Sequence, residues 1–431
     1  MAWSFATDPD YQNDLDWAAE FVKNEVEPLD HLLRCSPYDI ADPGFVKHVR
    51  PLQARVRARG LWGCHLGPEL GGPGYGQVKL ALLNEVLGRS DFAPIVFGCQ
   101  APDSGNAEIL AHYGTPEQKK RYLDPLLANE IVSCFAMTEP QGGADPKVFT
   151  TTAVRDGDHW VINGEKWFAS NARYAAFLIV MVVTDPDAPP YERMSQIIVP
   201  AGTPGMTIVR NAGWGMERDA THAYLRFENV RVPLENMLGQ PGQGFVVAQV
   251  RLGGGRIHHA MRTIGQARKA LDMMCERALS RVTQGEPLAR KQMVQEKIAD
   301  SWIELESFRL LVLRTAWLID QHNDYKLVRK DIAAVKAAMP KVLHDIASRA
   351  LHLHGSIGVS NEMPFAQQVL ASYFLGLADG PTEVHKVTLA REVLGQYQGT
   401  LDLFPWYHLP RQEAAALEKY GELAADIASE P

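Results

Sequence analysis

Between about residues 10 and 130, apolar side chains recur at three- and four-residue spacing. Stretches such as LDWAAEFVKNEV, FVKHVRPLQARVRARG, KLALLNEVLGR and TPEQKKRYLDPLLAN therefore predict amphipathic helices. Thr115, Pro116 and Glu117 open the last of these with a capping hydroxyl, a proline at the first helical position and an acid in the first turn. Near 131 the period changes. Short β-rich runs, IVSCFAM, FTTTAV, HWVING, FLIVMVV, SQIIVP, MTIVR and AYLRFENVRV, alternate with Gly, Pro and Asp turns and predict an all-β insert. After LGQPGQGF at 238–245 helical spacing returns in long stretches, roughly 245–284, 287–322 and 325–354, the last of them ~45 Å long at about 1.5 Å per residue. HGSIGVSNEMP interrupts the pattern. Shorter helices follow at 364–375 and from about 382, then the aromatic connector LFPWYHLP and an amphipathic segment at 411–428. The expected division is a helical domain at 1–130, a β domain at 131–242 and a helical bundle at 243–431, whose long helices bury faces against each other and against another subunit.

Composition narrows the class. The 431 residues are 46% hydrophobic and 22% charged, as in a globular enzyme. Lys plus Arg number 43 against 51 Asp plus Glu, with no basic block, so nucleic acid is a poor default partner. Cys35, Cys64, Cys99, Cys134 and Cys275 form no Cys-x-x-Cys pair and read as packing residues of a reducing compartment. The acidic start lacks the features of an export signal, and the longest apolar run, Ala175 to Val183, is too short to span a bilayer. A cytoplasmic location is the expectation.

The chemistry-bearing stretches are AMTEPQGGAD at 136–145, NGEKWFASNA at 163–172, VRVPLENMLG at 230–239 and ADGPTEVH at 378–385. In the first, Thr138 supplies a hydroxyl, Pro140 fixes a turn, and Gly142 and Gly143 let backbone amides approach a ligand. In this order and spacing the four stretches resemble the acyl-CoA dehydrogenase family over nearly the whole chain. The resemblance implies an α+β, mostly α fold with a helical N-terminal domain, a central β-barrel or sandwich and a C-terminal four-helix bundle. It implies one FAD per subunit, an acyl-CoA substrate, electron transferring flavoprotein as electron acceptor, and a homotetramer or dimer, in fatty acid β-oxidation.

The same resemblance assigns residues. Phe135, Met137, Thr138 and Gly143 would contact flavin and thioester, with Ala144 standing where Ser or Thr is usual. Phe168 falls on a Trp that packs on the flavin, and Ser170 on a Thr whose hydroxyl bonds the hydride-accepting nitrogen. Arg256 matches an arginine close to the CoA adenine and phosphates, while Gly253 replaces an acid three residues earlier. Arg281 matches an arginine on the flavin pyrophosphate, Gln284 stands for a Phe, and Gln292 matches a residue reaching the FAD of a neighbouring subunit. His352 and Gly355, in HLHGSIG, fall in a loop against that same FAD. Gly380 is assigned to substrate, and Pro381 and Glu383 to cofactor. No metal set is read: His352 and His354 lack a third ligand of suitable spacing, and the adjacent His258 and His259 point to different helix faces and read as satisfied structural histidines.

Ala378, Asp379, Gly380 and Pro381 occupy the places where most of the family has Tyr-Glu-Gly-Thr, and that Glu is the catalytic base. Asp379 is the candidate base, removing the α-proton while the β-hydrogen leaves as hydride to give a trans-2-enoyl-CoA. Burial is expected to raise its carboxyl above the ordinary value of about 3.9, with activity rising through that titration. The plainer alternative is a helix N-cap, although Thr382 would serve equally. Ala378 in place of Tyr widens the expected pocket, which suits a branched, hydroxylated, bulky or longer acyl group. The rival activities are a nitroalkane-oxidase-like or acyl-CoA-oxidase-like enzyme that uses oxygen, and a non-catalytic DNA-associated family member.

Overall fold

A computed structural model describes residues 5–213 and 220–428. The chain divides into two compact units, Met1–Lys386 and Val387–Pro431.

In the larger unit the first helices are α1 (Pro9–Phe21), α2 (Pro43–Arg59), α3 (Gly76–Leu87) and α4 (Asp103–Tyr113), joined by short helical turns. Asp8 caps α1 by accepting from the Tyr11 amide, and Asp42 caps α2 by accepting from Gly44 and Phe45. Thr115 forms the expected cap reciprocally with Gln118, whose amide donates to the hydroxyl and whose side chain accepts from the Thr115 N–H.

The β segment comprises β1 (Ser133–Ala136), β2 (Thr152–Asp156), β3 (His159–Ser170), β4 (Phe177–Val183), β5 (Met194–Pro200), β6 (Met206–Ala212), β7 (His222–Pro233) and β8 (Met237–Leu238). They form one mixed sheet in the order β6-β7-β3-β2-β4-β5-β8, with β1 parallel to β4. Its halves meet at the single parallel pair Thr152–Val183. Side chains of both halves share a core in which Ile162, Leu225 and Phe227 meet Leu178, Val180 and Val199. The other face of β4 packs Phe177 and Ile179 against Leu110, Tyr122 and Leu126 of the preceding helical region. Burial on both faces explains why β4 reads as an unbroken apolar run.

Four long helices follow: α5 (Gly244–Ser280), α6 (Gln292–His322), α7 (Arg329–His354) and α8 (Phe365–Leu377). They pack as a bundle whose core continues into the N-terminal helices, with Phe45, Leu83 and Phe97 joining Ile264, Val312 and Leu343. α3 and α5 touch backbone to backbone. A Cβ on Gly265 would stand 2.1 Å from the Glu85 carbonyl oxygen, and one on Gly88 2.0 Å from that of Arg262.

Two predicted boundaries shift. The helix expected at 245–284 ends at Ser280, because β9 (Val282–Thr283) and β10 (Glu286–Pro287) form a hairpin turning at Gln284 (φ 51°) and Gly285 (φ 81°). The next helix accordingly starts at Gln292 rather than 287. α9 (Thr382–Leu394) follows α8 after a four-residue break. In the smaller unit α10 (Leu409–Ala428) is kinked at Tyr420, and Arg411 binds Asp402 and donates to the Phe404 carbonyl at 2.7 Å. No helix among the described residues is long and apolar enough to cross a membrane.

Candidate active site

The break between α8 and α9 bends the backbone sharply at Asp379 (φ 55°) and Gly380 (φ 101°). The first is a left-handed conformation that an aspartate tolerates but does not favour. Two side chains hold it. Arg256 of α5 donates Nε to the Asp379 carbonyl at 3.0 Å, and His385 of α9 places Nε2 at 3.2 Å from the same oxygen. Among the described residues the Asp379 carboxylate and its own N–H make no hydrogen bond, so the carboxylate is not a helix cap. It lies over bare backbone: a Cβ on Gly255 would be 3.5 Å from Oδ2. The nearest charged partner is His259, with Nε2 at 3.7 Å from Oδ2.

The expected upward shift of this carboxyl is reversed. Burial favours the neutral acid, but His259, Arg251, Arg256 and Lys336 together outweigh it and hold the group below its ordinary 3.8. Burial brings the His259 imidazole down to about 4, so at neutral pH the positive field on Asp379 comes from the two arginines and the lysine. Lys336 donates to the Leu375 carbonyl at the end of α8. Arg251 donates Nε to Asn106 Oδ1 at 2.8 Å, and its guanidinium lies 4.1 Å from the centre of the Phe135 ring.

The β segment contributes a second group. Glu139 and Gly142 exchange both backbone hydrogen bonds, at 3.0 and 3.1 Å, which closes the Pro140 turn. Gly143 and Ala144 are exposed beyond it. Trp167 of β3 donates its N–H to the Thr138 carbonyl at 2.8 Å, and Lys166 reaches the Met137 carbonyl at 2.8 Å. Lys166 also bonds Glu139 at 2.8 Å, both side chains being essentially fully buried. The register of β3 against β7 slips between Lys166 and Ala169, and Phe168 adopts φ 51° within that bulge. Its ring is left 40% exposed, unusual for a phenylalanine on a strand. Ser170 Oγ lies 2.8 Å from His222 Nδ1, and the His222 ring is 6.0 Å from Phe168 and 6.3 Å from Phe374 of α8. Phe168, Ser170 and the last turn of α8 are thus linked through one histidine.

An exposed aromatic face, a strand-edge hydroxyl and the closely approachable backbone at 138–143 fit a flat, hydrogen-bonding isoalloxazine ring. Ser170 would hold such a ring through its hydroxyl, which neutral His222 orients at 2.8 Å. Burial lowers the His222 imidazole to about 4, which keeps it neutral.

A third group stands apart. Arg281, Gln284, Gln292, His352 and Gly355 are all exposed, at the far ends of α5 and α7 and the start of α6. Twenty-five residues of helix and cap separate Arg256 from Arg281, roughly 38 Å at the helical rise. Pro381 ends the turn at Asp379 and Glu383 follows it in the first turn of α9, Glu383 exposed.

Sequence reasoning passed over several residues. His259 and His258 are not the satisfied structural pair expected: His259 faces Asp379, and His258 Nε2 is buried without a hydrogen-bond partner. Around Gly254, a Cβ would meet Glu108 Oε2 at 3.3 Å, Tyr325 OH at 3.6 Å and His258 Cε1 at 3.7 Å, so three polar side chains converge on one glycine. Burial raises the Glu108 carboxyl to about 7 against the pull of Arg251. The available signal was the four-residue spacing of Gly255 and His259 on one helix face.

A helical bundle, a mixed sheet and helices combined in this way, with an acid at the break after the fourth bundle helix, define an acyl-CoA dehydrogenase-type flavoprotein. Family models for the acyl-CoA dehydrogenase N-terminal, middle and C-terminal domains match residues 9–130, 134–230 and 242–394, and the chain belongs to this family. It is an FAD-dependent oxidoreductase. It is 40% identical over 398 residues to "Probable acyl-CoA dehydrogenase FadE2" of Mycobacterium tuberculosis, covering 91% of this chain and 96% of that protein. It is 41% identical over 353 residues to acyl-CoA dehydrogenase family member 11 of Gallus gallus, covering 80% of this chain and 45% of that longer protein. A solved chain from Mycobacterium abscessus, assigned as an acyl-CoA dehydrogenase, superposes with a TM-score of 0.84 at 38% identity, over 91% of this chain and all of the other.

Proposed function

We propose that the protein removes the α-proton and β-hydrogen of an acyl-CoA thioester to give a trans-2-enoyl-CoA, with Asp379 as the base. The observation that carries this is the Asp379 carboxylate itself: part-exposed, without a hydrogen bond among the described residues, and held over bare helix backbone by two bonds to its own carbonyl. Bound FAD supplies the hydride acceptor. Asp379 takes the α-proton on a carboxylate oxygen. Its N–H points to no protein acceptor and is placed to donate to the thioester oxygen as charge develops there. Arg256 and His385 hold the following peptide, Asp379–Gly380, through its carbonyl. Phe135, Met137, Thr138, Gly143, Phe168 and Ser170 hold the ring system, Ala144 and Gly380 line the thioester, Arg281 meets the flavin pyrophosphate with Gln284 beside it, and Gln292, His352 and Gly355 reach the cofactor of a neighbouring chain. The three domains in this reading are 1–130, 131–242 and 243–431, in a homotetramer or dimer, with electron transferring flavoprotein as acceptor. Ala378 and the polar groups around Gly254 favour a branched, hydroxylated or otherwise bulky acyl group over a short straight one.

The test is anaerobic mixing of the yellow protein with a panel of acyl-CoAs while flavin absorbance is followed, in wild type and Asp379→Asn. Bleaching by an acyl-CoA that is lost in the variant is the expected result. With the carboxyl held low, kcat/KM should stay level on the acid side down to about pH 5. Bleaching by a nitroalkane and by no thioester would overturn the reading, and strict preference for short straight chains would overturn the substrate class.

A further inference from the structure

Asp379 meets one titratable partner at close range. Gly255 and His259 lie one turn apart on α5 and share a face. The carboxylate lies beside the helix at Gly255, 3.5 Å from where a Cβ would stand, and His259 Nε2 is 3.7 Å from Oδ2. The His259 and Asp379 side chains are 24% and 20% exposed, so both remain partly open to solvent. The groups around them are cationic: Arg251, Arg262 and Lys336 face His259, and Arg251, Arg256 and Lys336 face Asp379.

A carboxylate among fixed cations is a poor resting place for a proton. The substrate's α-proton returns readily unless it has somewhere further to go. His259 is the group within reach, its Nε2 3.7 Å from Oδ2, and burial keeps its imidazole neutral and able to accept a proton.

Resting on the reading of Asp379 as the base, we infer that His259 is a positioning residue that steers the Asp379 carboxylate and shares the proton it removes. The substrate Cα–H bond breaks and its electron pair stays in the thioester, where it becomes the new double bond as the β-hydrogen leaves with its own pair. The proton goes to Asp379 Oδ2. That O–H bond then breaks as an Nε2–H bond forms, which restores the carboxylate and leaves an imidazolium. His259 therefore rests with its proton on Nδ1. Closing 3.7 Å to hydrogen-bond length takes about 1 Å of side-chain movement.

The test compares holoenzyme His259→Gln, which keeps polar bulk but cannot titrate, with wild type and Asp379→Asn. Two readouts are followed across pH: flavin bleaching by an acyl-CoA, and enolate formation from a 3-thiaacyl-CoA, in which sulfur replaces the carbon that would lose hydride. We expect His259→Gln to slow bleaching by about 100-fold with KM within about threefold, and to reduce thia-ligand deprotonation with a changed acid limb. A wild-type rate and pH profile in His259→Gln, with Asp379→Asn inactive, overturns the shared proton and leaves the dehydrogenase reading intact. Activity unchanged in both variants overturns both. Should His259→Gln not fold, the ring-nitrogen titration of His259 by NMR in wild type and Asp379→Asn decides: its midpoint falls when the carboxylate is removed, and an unmoved midpoint overturns the coupling.

Discussion

The buried Lys166–Glu139 pair makes a quantitative prediction about what holds the flavin-side turn. Glu139 accepts from Lys166 at 2.8 Å, from the amides of Thr150 and Thr151 at 2.7 and 3.0 Å, and from Gln141 at 2.6 Å. Burial opposes ionisation, but Lys166 and these donors hold the Glu139 carboxyl down at about 2, against an ordinary 4.5. Lys166 runs the other way: burial exceeds the pull of Glu139 and brings the ammonium down to about 8. The two directions differ because Glu139 accepts from several donors, whereas Lys166 bonds one anion and one carbonyl and otherwise faces the Phe149 ring. The carboxylate is therefore the well-satisfied member and the lysine the costly one. Lys166→Met leaves a buried carboxylate short of its counter-charge, and we expect a loss of about 3 kcal/mol, the low end for breaking such a pair because removal of the lysine's own burial cost offsets part of it. The Glu139→Gln/Lys166→Met double variant should recover part of that loss. The folded carboxyl titrates below the unfolded one, so its contribution of about 3 kcal/mol is complete above about pH 4.5 and disappears as pH falls towards 2. Equilibrium urea unfolding of the two single variants and the double variant, repeated at several pH values, measures the coupling. A Lys166→Met loss below about 0.5 kcal/mol, or a double variant worse than the sum of the singles, would refute the reasoning.

Two further outcomes follow from other contacts. Gly265→Ala places a methyl group against the Glu85 carbonyl, with backbone on both sides, and should destabilise the protein by about 1–3 kcal/mol or more, read as a lower urea midpoint. Phe168→Ala removes a ring that is 40% exposed, so stability should change little while bound FAD per subunit drops; full retention of flavin would remove Phe168 from the cofactor site.

Much of this was legible in the sequence, and the parts that were not share a cause. The helix–sheet–helix order follows from period alone, and the fully buried β4 announced itself as FLIVMVV. The position of Asp379 was visible because Gly380 and Pro381 break the helix around it. Its titration was not. The sequence argument counted burial, the one effect a local motif reveals, whereas Arg251, Lys336 and His259 come from separate turns and helices and meet the carboxylate only in the folded chain. The hairpin at 282–287 was missed for a related reason. Its apolar spacing continues that of α5, and only the left-handed Gln284–Gly285 pair shows the turn.

Aspartate at this position raises a problem of reach, since its side chain is one methylene shorter than the glutamate usual in the family. The structure contains two adjustments that bear on it, and both act on the backbone rather than on the side chain. The left-handed turn at Asp379 is held through its carbonyl by Arg256 and His385, which fixes where the short side chain leaves the backbone. Gly255 leaves the backbone of α5 facing the carboxylate, with Oδ2 3.5 Å from where a Cβ would stand. The same adjustments carry a cost in basicity, because the helix face that admits the carboxylate also brings it near Arg251 and Arg256, one turn before and one residue after Gly255. A carboxylate placed among cations holds a proton less tightly. In the proposed mechanism that trade gives a neutral histidine one turn along the same face a use, since it would offer the proton a second site without adding a fixed positive charge.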